Sequence, residues 1–234
     1  MIISILFFSA MLGGLSVFLV QRDQTKFLKL ILSFSGAYLF SITVLHLIPD
    51  VYHSGNTQIG LFVLAGFLFQ LILEQFSEGV EHGHMHGGKQ TPTRFPISIL
   101  ISLCLHAFLE GMPISGSYQY GLLFGIALHH IPAAFALGSM LLHYQVSRGA
   151  ALVYLILFSA MSPLGVLFSQ WMQNGNIGDI SLYFDRIMAV VIGIFLHIST
   201  TILFESSTKD HQYNRRKLIA VFMGVAVSFL NFLF

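Results

Sequence analysis

The chain has 234 residues, of which 55% are hydrophobic and only 9% charged. Soluble domains carry ~25% charged residues, so this chain has too few polar side chains to cover a surface that faces water. A net charge of +1 gives no general attraction for nucleic acid, and a single cysteine, Cys104, excludes an internal disulfide framework. The composition predicts an integral membrane protein that has lipid around it and no nucleic-acid partner.

Long apolar runs predict eight transmembrane helices. A spanning helix needs ~20 apolar residues, and these runs are too long and too continuously apolar to be barrel strands. The first run has no basic residue before it and no cleavage-site pattern, so we expect a retained span instead of a signal peptide. Together the spans form a single transmembrane domain over residues 1–234. They cover approximately residues 1–20, 27–49, 58–77, 95–115, 119–142, 149–170, 182–204 and 216–234.

The basic residues predict how the helices are oriented. Ten of the eleven Lys and Arg residues fall on alternate loops, and the exception, Arg186, follows Asp185. Under the positive-inside rule those loops are cytoplasmic and both termini lie outside. Residues 78–94 then form a cytoplasmic loop. The short loops and the lack of a targeting segment favour a bacterial cytoplasmic membrane, with the chain crossing it several times.

Ionisable residues inside the fourth and fifth spans predict a metal site. His106 and Glu110 are four residues apart and share one helical face. His129 and His130 diverge by about 100° around their helix, so at least one of them can point at that face. Ionisable groups within spans usually face a cavity or one another, and imidazole with carboxylate suits zinc, iron or manganese. We expect an ion at His106, Glu110 and either His129 or His130.

Three other groups of polar residues are weaker candidates. One ends the second span and could form an entrance for the ion, another lies on the seventh span and could form an exit, and both could equally be polar helix ends. Alternating histidines in the loop 78–94 predict loose metal binding, with a merely solvated loop as the alternative. The entrance pair is His46 and Asp50, the exit pair is His197 and Glu205, and the loop histidines are His82, His84 and His86.

Four short motifs in consecutive order resemble the ZIP (Zrt-, Irt-like protein) family of metal transporters. They are HLIPD at residues 46–50, HAFLEG at 106–111, HHIP at 129–132 and SAMSPLG at 159–165. The resemblance covers essentially the whole chain. It implies an all-α bundle of eight spans with both termini outside, a histidine-containing loop after the third span, and metal ligands on the fourth and fifth. It also implies transport of a divalent ion toward the cytoplasm by alternating exposure of a midplane site, with the first and last three spans as inverted repeats.

The departures from the family pattern bear on the number of ions. Many ZIP proteins have polar or acidic residues where this chain has Ala107, Ala133 and Ser162. In those ZIP proteins the polar and acidic side chains resemble parts of a two-metal centre. Because this chain lacks them, we expect it to hold one ion. Zinc is the first candidate, and iron and manganese remain alternatives.

Two other classes of function stay open at this point. An intramembrane metal-dependent hydrolase would need a water-activating base beside the metal, as in H-E-x-x-H, and the chain has no such motif. A non-transporting metal sensor would be compatible with the lost second site. The sequence therefore predicts a transporter that is not an enzyme, with no cofactor apart from the transported ion and with a homodimer left open.

Overall fold

The computed structural model describes residues 1–19, 25–53, 58–77, 95–115, 119–174, 180–204 and 211–233. These residues form eight helices, α1 to α8, and contain no β-strand. The helices are α1 Ile2–Ser16, α2 Thr25–Ile42, α3 Ile59–Ser77, α4 Ile97–Gly111, α5 Gln119–His143, α6 Arg148–Asn174, α7 Ile180–Phe204 and α8 His211–Leu233. α2 continues through a π-helical turn, Thr43–Leu47, into Ile48–Tyr52, and α4 continues into a 3₁₀ turn, Met112–Ser115.

Each predicted span overlaps one of these helices over most of its length, so the predicted all-helical fold is confirmed. Six of the described helices, α2 to α7, are long and apolar enough to cross a membrane, and α1 is a shorter apolar helix. When the continuation of α2 to Tyr52 is counted, the largest difference in boundary is at α8, which begins at His211 and not at residue 216. The apolar pattern marks the stretch suited to lipid, whereas the helix itself extends into the polar residues that precede it.

The helices pack as two sets of four. One set contains α1, α4, α5 and α6, with close packing of α1 on α5, α4 on α6 and α1 on α6. The other contains α2, α3, α7 and α8, with close packing of α3 on α7 and α2 on α8. The contacts correspond in pairs when α1, α2 and α3 are exchanged with α6, α7 and α8, and α4 with α5. The packing of α1 on α5 then corresponds to that of α6 on α4, and the packing of α3 on α7 to that of α8 on α2. This correspondence agrees with the expected pair of three-helix repeats.

Glycines let helices of the same set approach backbone to backbone. A Cβ atom at Gly66 of α3 would overlap the carbonyl oxygen of Val190 in α7, and one at Gly193 of α7 would overlap that of Val63 in α3. Small residues at helix crossings are the usual way for membrane helices to gain dispersion contacts, because lipid removes the hydrophobic drive between them. The reciprocal glycines therefore hold α3 and α7 tightly together.

A proline accounts for the π-helical turn in α2. Pro49 has no N–H group to donate to the preceding turn, and the N–H of Ile48 donates to the carbonyl of Thr43, five residues back. His46 lies within this turn and is buried. The HLIPD motif thus produces a local widening of the helix, a feature that often occurs at functional sites.

Candidate metal centre

Helices α4 and α5 bring four ionisable side chains into one buried cluster. Glu110 and His129 are fully buried, and His106 and His130 are each 2% exposed. The spacing of four residues places His106 and Glu110 on one face of α4, where His106 Nε2 lies 3.3 Å from Glu110 Oε1. The sequence left open whether both histidines of α5 could reach this face. In the structure both lie close to the carboxylate.

The two oxygens of Glu110 have different neighbours. His130 Nε2 donates a hydrogen bond of 2.8 Å to Oε2, while His129 Nε2 lies 4.0 Å from Oε1. Oε1 accepts no hydrogen bond from the described residues. One oxygen is therefore held by His130, and the other faces His106 and His129.

Within the described part of the chain, His106, Glu110 and His129 form a group that can hold a metal ion. Each residue offers one ligand atom, and these atoms lie within 4.8 Å of one another. A tetrahedral Zn²⁺ with bonds of ~2.0–2.1 Å requires ligand atoms about 3.3 Å apart. The His106–Glu110 separation already has this value, and the His129–Glu110 separation needs a contraction of roughly 0.7 Å. The geometry suits three protein ligands with a fourth position left open.

Helix α3 supports the cluster from the other set of helices. Gln70 is fully buried, and its Oε1 accepts a hydrogen bond of 3.2 Å from His106 Nδ1. One turn earlier on α4, Ser102 Oγ donates to the carbonyl of Leu73 at 2.6 Å. Gln70 is not among the site residues predicted from the sequence, because its side chain is not ionisable. The available signal was an amide within an otherwise apolar segment.

A second His–Glu pair joins α3 to α7, with His197 buried and Glu74 partly exposed. His197 Nε2 lies 2.5 Å from Glu74 Oε2, and the ring of His197 meets that of Phe67 edge-on with centroids 4.8 Å apart. His197 and Glu205 were predicted together as a possible exit for the ion. Glu205 lies outside the described residues, and the partner that the structure provides for His197 is Glu74.

The remaining predicted positions lie away from the cluster or cannot be described. His46 is buried in the π-helical turn of α2, and Asp50, one turn further on, is exposed. Neither belongs to the group of metal-ligating atoms on α4 and α5. The loop histidines His82, His84 and His86 lie outside the described residues.

Small residues occupy the three positions at which the sequence departs from the ZIP pattern. Ala107, Ala133 and Ser162 are all buried, so they are part of the packed interior around the cluster. The backbone carbonyl of Ser162 lies against Gly111, directly after Glu110, where a Cβ atom would overlap it. α4 and α6 are thus in backbone contact beside the carboxylate of the cluster.

Comparison with known proteins agrees with the helical membrane fold. The family model described as ZIP zinc transporter matches residues 90–231, more than half of the chain. Zinc transporter ZIP9 of Micropogonias undulatus is 27% identical over 113 residues, which are 45% of this chain and 36% of that protein. Zinc transporter ZIP9-B of Xenopus laevis is 27% identical over 116 residues, or 47% and 38% of the two chains. The matched region thus spans well under two thirds of these curated relatives.

The fold and the buried cluster define a multi-pass membrane protein with a group of side chains between its helices that could hold a metal ion. The chain belongs to the ZIP zinc transporter family. The resemblance found from the four motifs is therefore confirmed. The matching family model describes zinc transporters, so membership favours a transporter over the intramembrane hydrolase.

Proposed function

We propose that this protein carries divalent transition-metal ions, zinc first among them, across a membrane, and that the ion in transit binds His106, Glu110 and His129. The observation that carries the proposal is the cluster itself, in which three ligand atoms within 4.8 Å of one another lie inside a bundle of membrane helices. A desolvated carboxylate among imidazoles is costly to bury without a cation. The cluster is therefore best explained as a binding site for one.

The site suits an ion that has to leave again. Three protein ligands complete only part of a tetrahedral shell, and the open position can be taken by water. Glu110 supplies one negative charge, and α4, α5 and α6 contain no other carboxylate. Two dications ~4 Å apart would repel strongly in a low-dielectric interior. A single ion per chain follows from this shortage of charge.

His130 has a supporting role in this proposal. It donates a hydrogen bond to Glu110 Oε2, which leaves Oε1 directed at the ion. Partners of this kind orient metal ligands without touching the metal. We assign His129 as the direct ligand and His130 as the residue that positions Glu110.

The proposed direction of transport is toward the cytoplasm, across a bacterial cell membrane. This direction is the one that the resemblance to the ZIP family implies. The loop charges support only the orientation of the chain, in which the loops that carry most of the Lys and Arg residues face the cytoplasm. Iron and manganese remain alternative ions, because imidazole and carboxylate ligands suit them as well.

The test is metal uptake by lipid vesicles that contain the purified protein and an enclosed zinc-sensitive dye. We expect Zn²⁺ added outside to raise the fluorescence with the wild-type protein and not with Glu110→Ala inserted in the same amount. Folded wild-type protein that binds Zn²⁺ and gives no uptake would instead indicate the metal sensor. Uptake by Glu110→Ala at the wild-type rate would refute the assigned site.

A further inference from the structure

The two ring nitrogens of His106 have different partners on different helices. Nδ1 donates to Oε1 of Gln70 on α3 at 3.2 Å, and Nε2 lies 3.3 Å from Glu110 Oε1 on its own helix. Gln70 is fully buried, so no bulk water competes for its amide. The hydrogen bond therefore determines which nitrogen of a neutral His106 carries the proton.

The consequence is a lone pair directed into the cluster. A neutral imidazole has one N–H, and with that proton on Nδ1 the Nε2 atom can only accept. Its lone pair then faces a carboxylate oxygen 3.3 Å away, and two such atoms repel unless a cation lies between them. This is the arrangement that metal-ligating histidines have, with the second nitrogen bonded to an outer acceptor.

We propose that Gln70 is a positioning residue for the ion, acting through the tautomer and ring orientation of His106. The inference rests on the proposed metal site. An amide acceptor fixes the tautomer without adding a second negative charge, so it orients the ligand and keeps the cluster at one carboxylate. A carboxylate at this position would make His106 a stronger ligand and hold the ion more firmly. The glutamine thus favours binding that is still reversible.

The contact also links the two sets of helices. His106 belongs to the set of α1, α4, α5 and α6, whereas Gln70 belongs to the set of α2, α3, α7 and α8. The hydrogen bond exists only while α3 and α4 keep the spacing seen here. The site therefore has its full affinity in this arrangement, and separating α3 from α4 weakens it.

The experiment measures the dissociation constant for Zn²⁺ of the purified full chain in detergent, by competition with a fluorescent chelator. Gln70→Met keeps the length of the side chain and removes the acceptor, and we expect it to weaken binding by about 10- to 100-fold. Gln70→Glu keeps an acceptor and should bind markedly more tightly than Gln70→Met. The matched control is Gln75→Met, which makes the same change at an exposed position of α3 and should bind as the wild type does.

A double-mutant cycle separates positioning from a general effect on structure. In a His106→Ala background, Gln70→Met should cause no further loss, because the residue through which it acts is gone. Gln70→Met that binds Zn²⁺ as tightly as wild type overturns the proposal. So do equal losses for Gln70→Met and Gln70→Glu, or a full loss that persists in the His106→Ala background. The cycle compares dissociation constants for Zn²⁺ and does not depend on transport. Vesicles that show no zinc uptake would therefore overturn the proposed transport, whereas the double-mutant cycle would still decide whether Gln70 positions His106.

Discussion

Replacing Glu110 with glutamine removes the carboxylate of the cluster and keeps the size of the side chain. The carboxylate oxygen lies 3.3 Å from His106 Nε2 and 4.0 Å from His129 Nε2, so a bound ion sits next to it. At an effective dielectric constant of ~20, a dication and a carboxylate whose charges are ~3–4 Å apart attract by roughly 8–11 kcal/mol before desolvation is counted. Desolvation offsets most of this attraction, and the loss of one partner of a buried charge pair costs about 3–5 kcal/mol.

That loss converts to a large change in affinity. A tenfold change corresponds to about 1.4 kcal/mol, so the dissociation constant for Zn²⁺ should rise by about 10²- to 10⁴-fold in Glu110→Gln. The amide oxygen can still accept the hydrogen bond from His130, so the variant should keep its fold. Binding is measured on purified protein by competition with a fluorescent zinc chelator. Asp185→Asn, which removes a carboxylate from α7 outside the cluster, serves as the control and should bind normally.

Binding of Zn²⁺ by Glu110→Gln within about tenfold of the wild-type affinity, with unchanged thermal melting in detergent, would contradict the assigned role of Glu110. Such a result would mean that the ion is held elsewhere. An affinity that falls equally in Glu110→Gln and Asp185→Asn would also contradict it, because the effect would then come from net charge and not from the cluster.

Other predictions concern the ligands, the packing, the orientation and the loop. His129→Ala should weaken Zn²⁺ binding by more than His130→Ala, for which about 10-fold is expected since only a supporting hydrogen bond is lost; the reverse order would contradict the assignment. Gly66→Ala should destabilise the fold by about 1–3 kcal/mol because of overlap with α7, seen as a lower melting temperature, while Gly149→Ala, with no atom within 4 Å, should not. Single cysteines are placed at Gly55, Asn174 or Gln90 on a Cys104→Ser background, and an impermeant thiol reagent is applied outside intact cells. The cysteines at Gly55 and Asn174 should be labelled and the one at Gln90 should not. Labelling of all three would refute the orientation. Replacement of the loop histidines His82, His84 and His86 by serine should leave most of the vesicle uptake intact. Complete loss of uptake in well-folded protein would show that the loop is essential.

The sequence predicts the helices and half of the site because both depend on local patterns. Apolar runs determine where lipid-compatible helices form, and the four-residue spacing of His106 and Glu110 places them on one face whatever the rest of the chain does. The proximity of α4 and α5 was also predictable, since a short connection joins them. Their alignment, which lets both His129 and His130 reach Glu110, depends on tertiary packing that no local pattern records.

The contacts made by α3 could not be predicted in the same way. Gln70 reaches a residue 36 positions later in the chain, and Glu74 reaches one 123 positions later. Such distances in sequence leave no periodicity to detect. Gln70 also escaped attention because an amide has no charge, although it is fully buried beside the cluster.

The glycine contacts determine where the bundle can deform. Among the described glycines, those whose Cβ would overlap a carbonyl oxygen join helices of the same set, such as α3 with α7 and α4 with α6. Gly125 of α5, in contrast, faces the side chains of Tyr38 and Leu39 on α2, across the boundary between the sets. Interlocked backbones cannot slide without opening voids, whereas an interface of side chains can re-form after rotamer changes. Each set should therefore move as a rigid body, and the ion would travel with the set that contains α4 and α5.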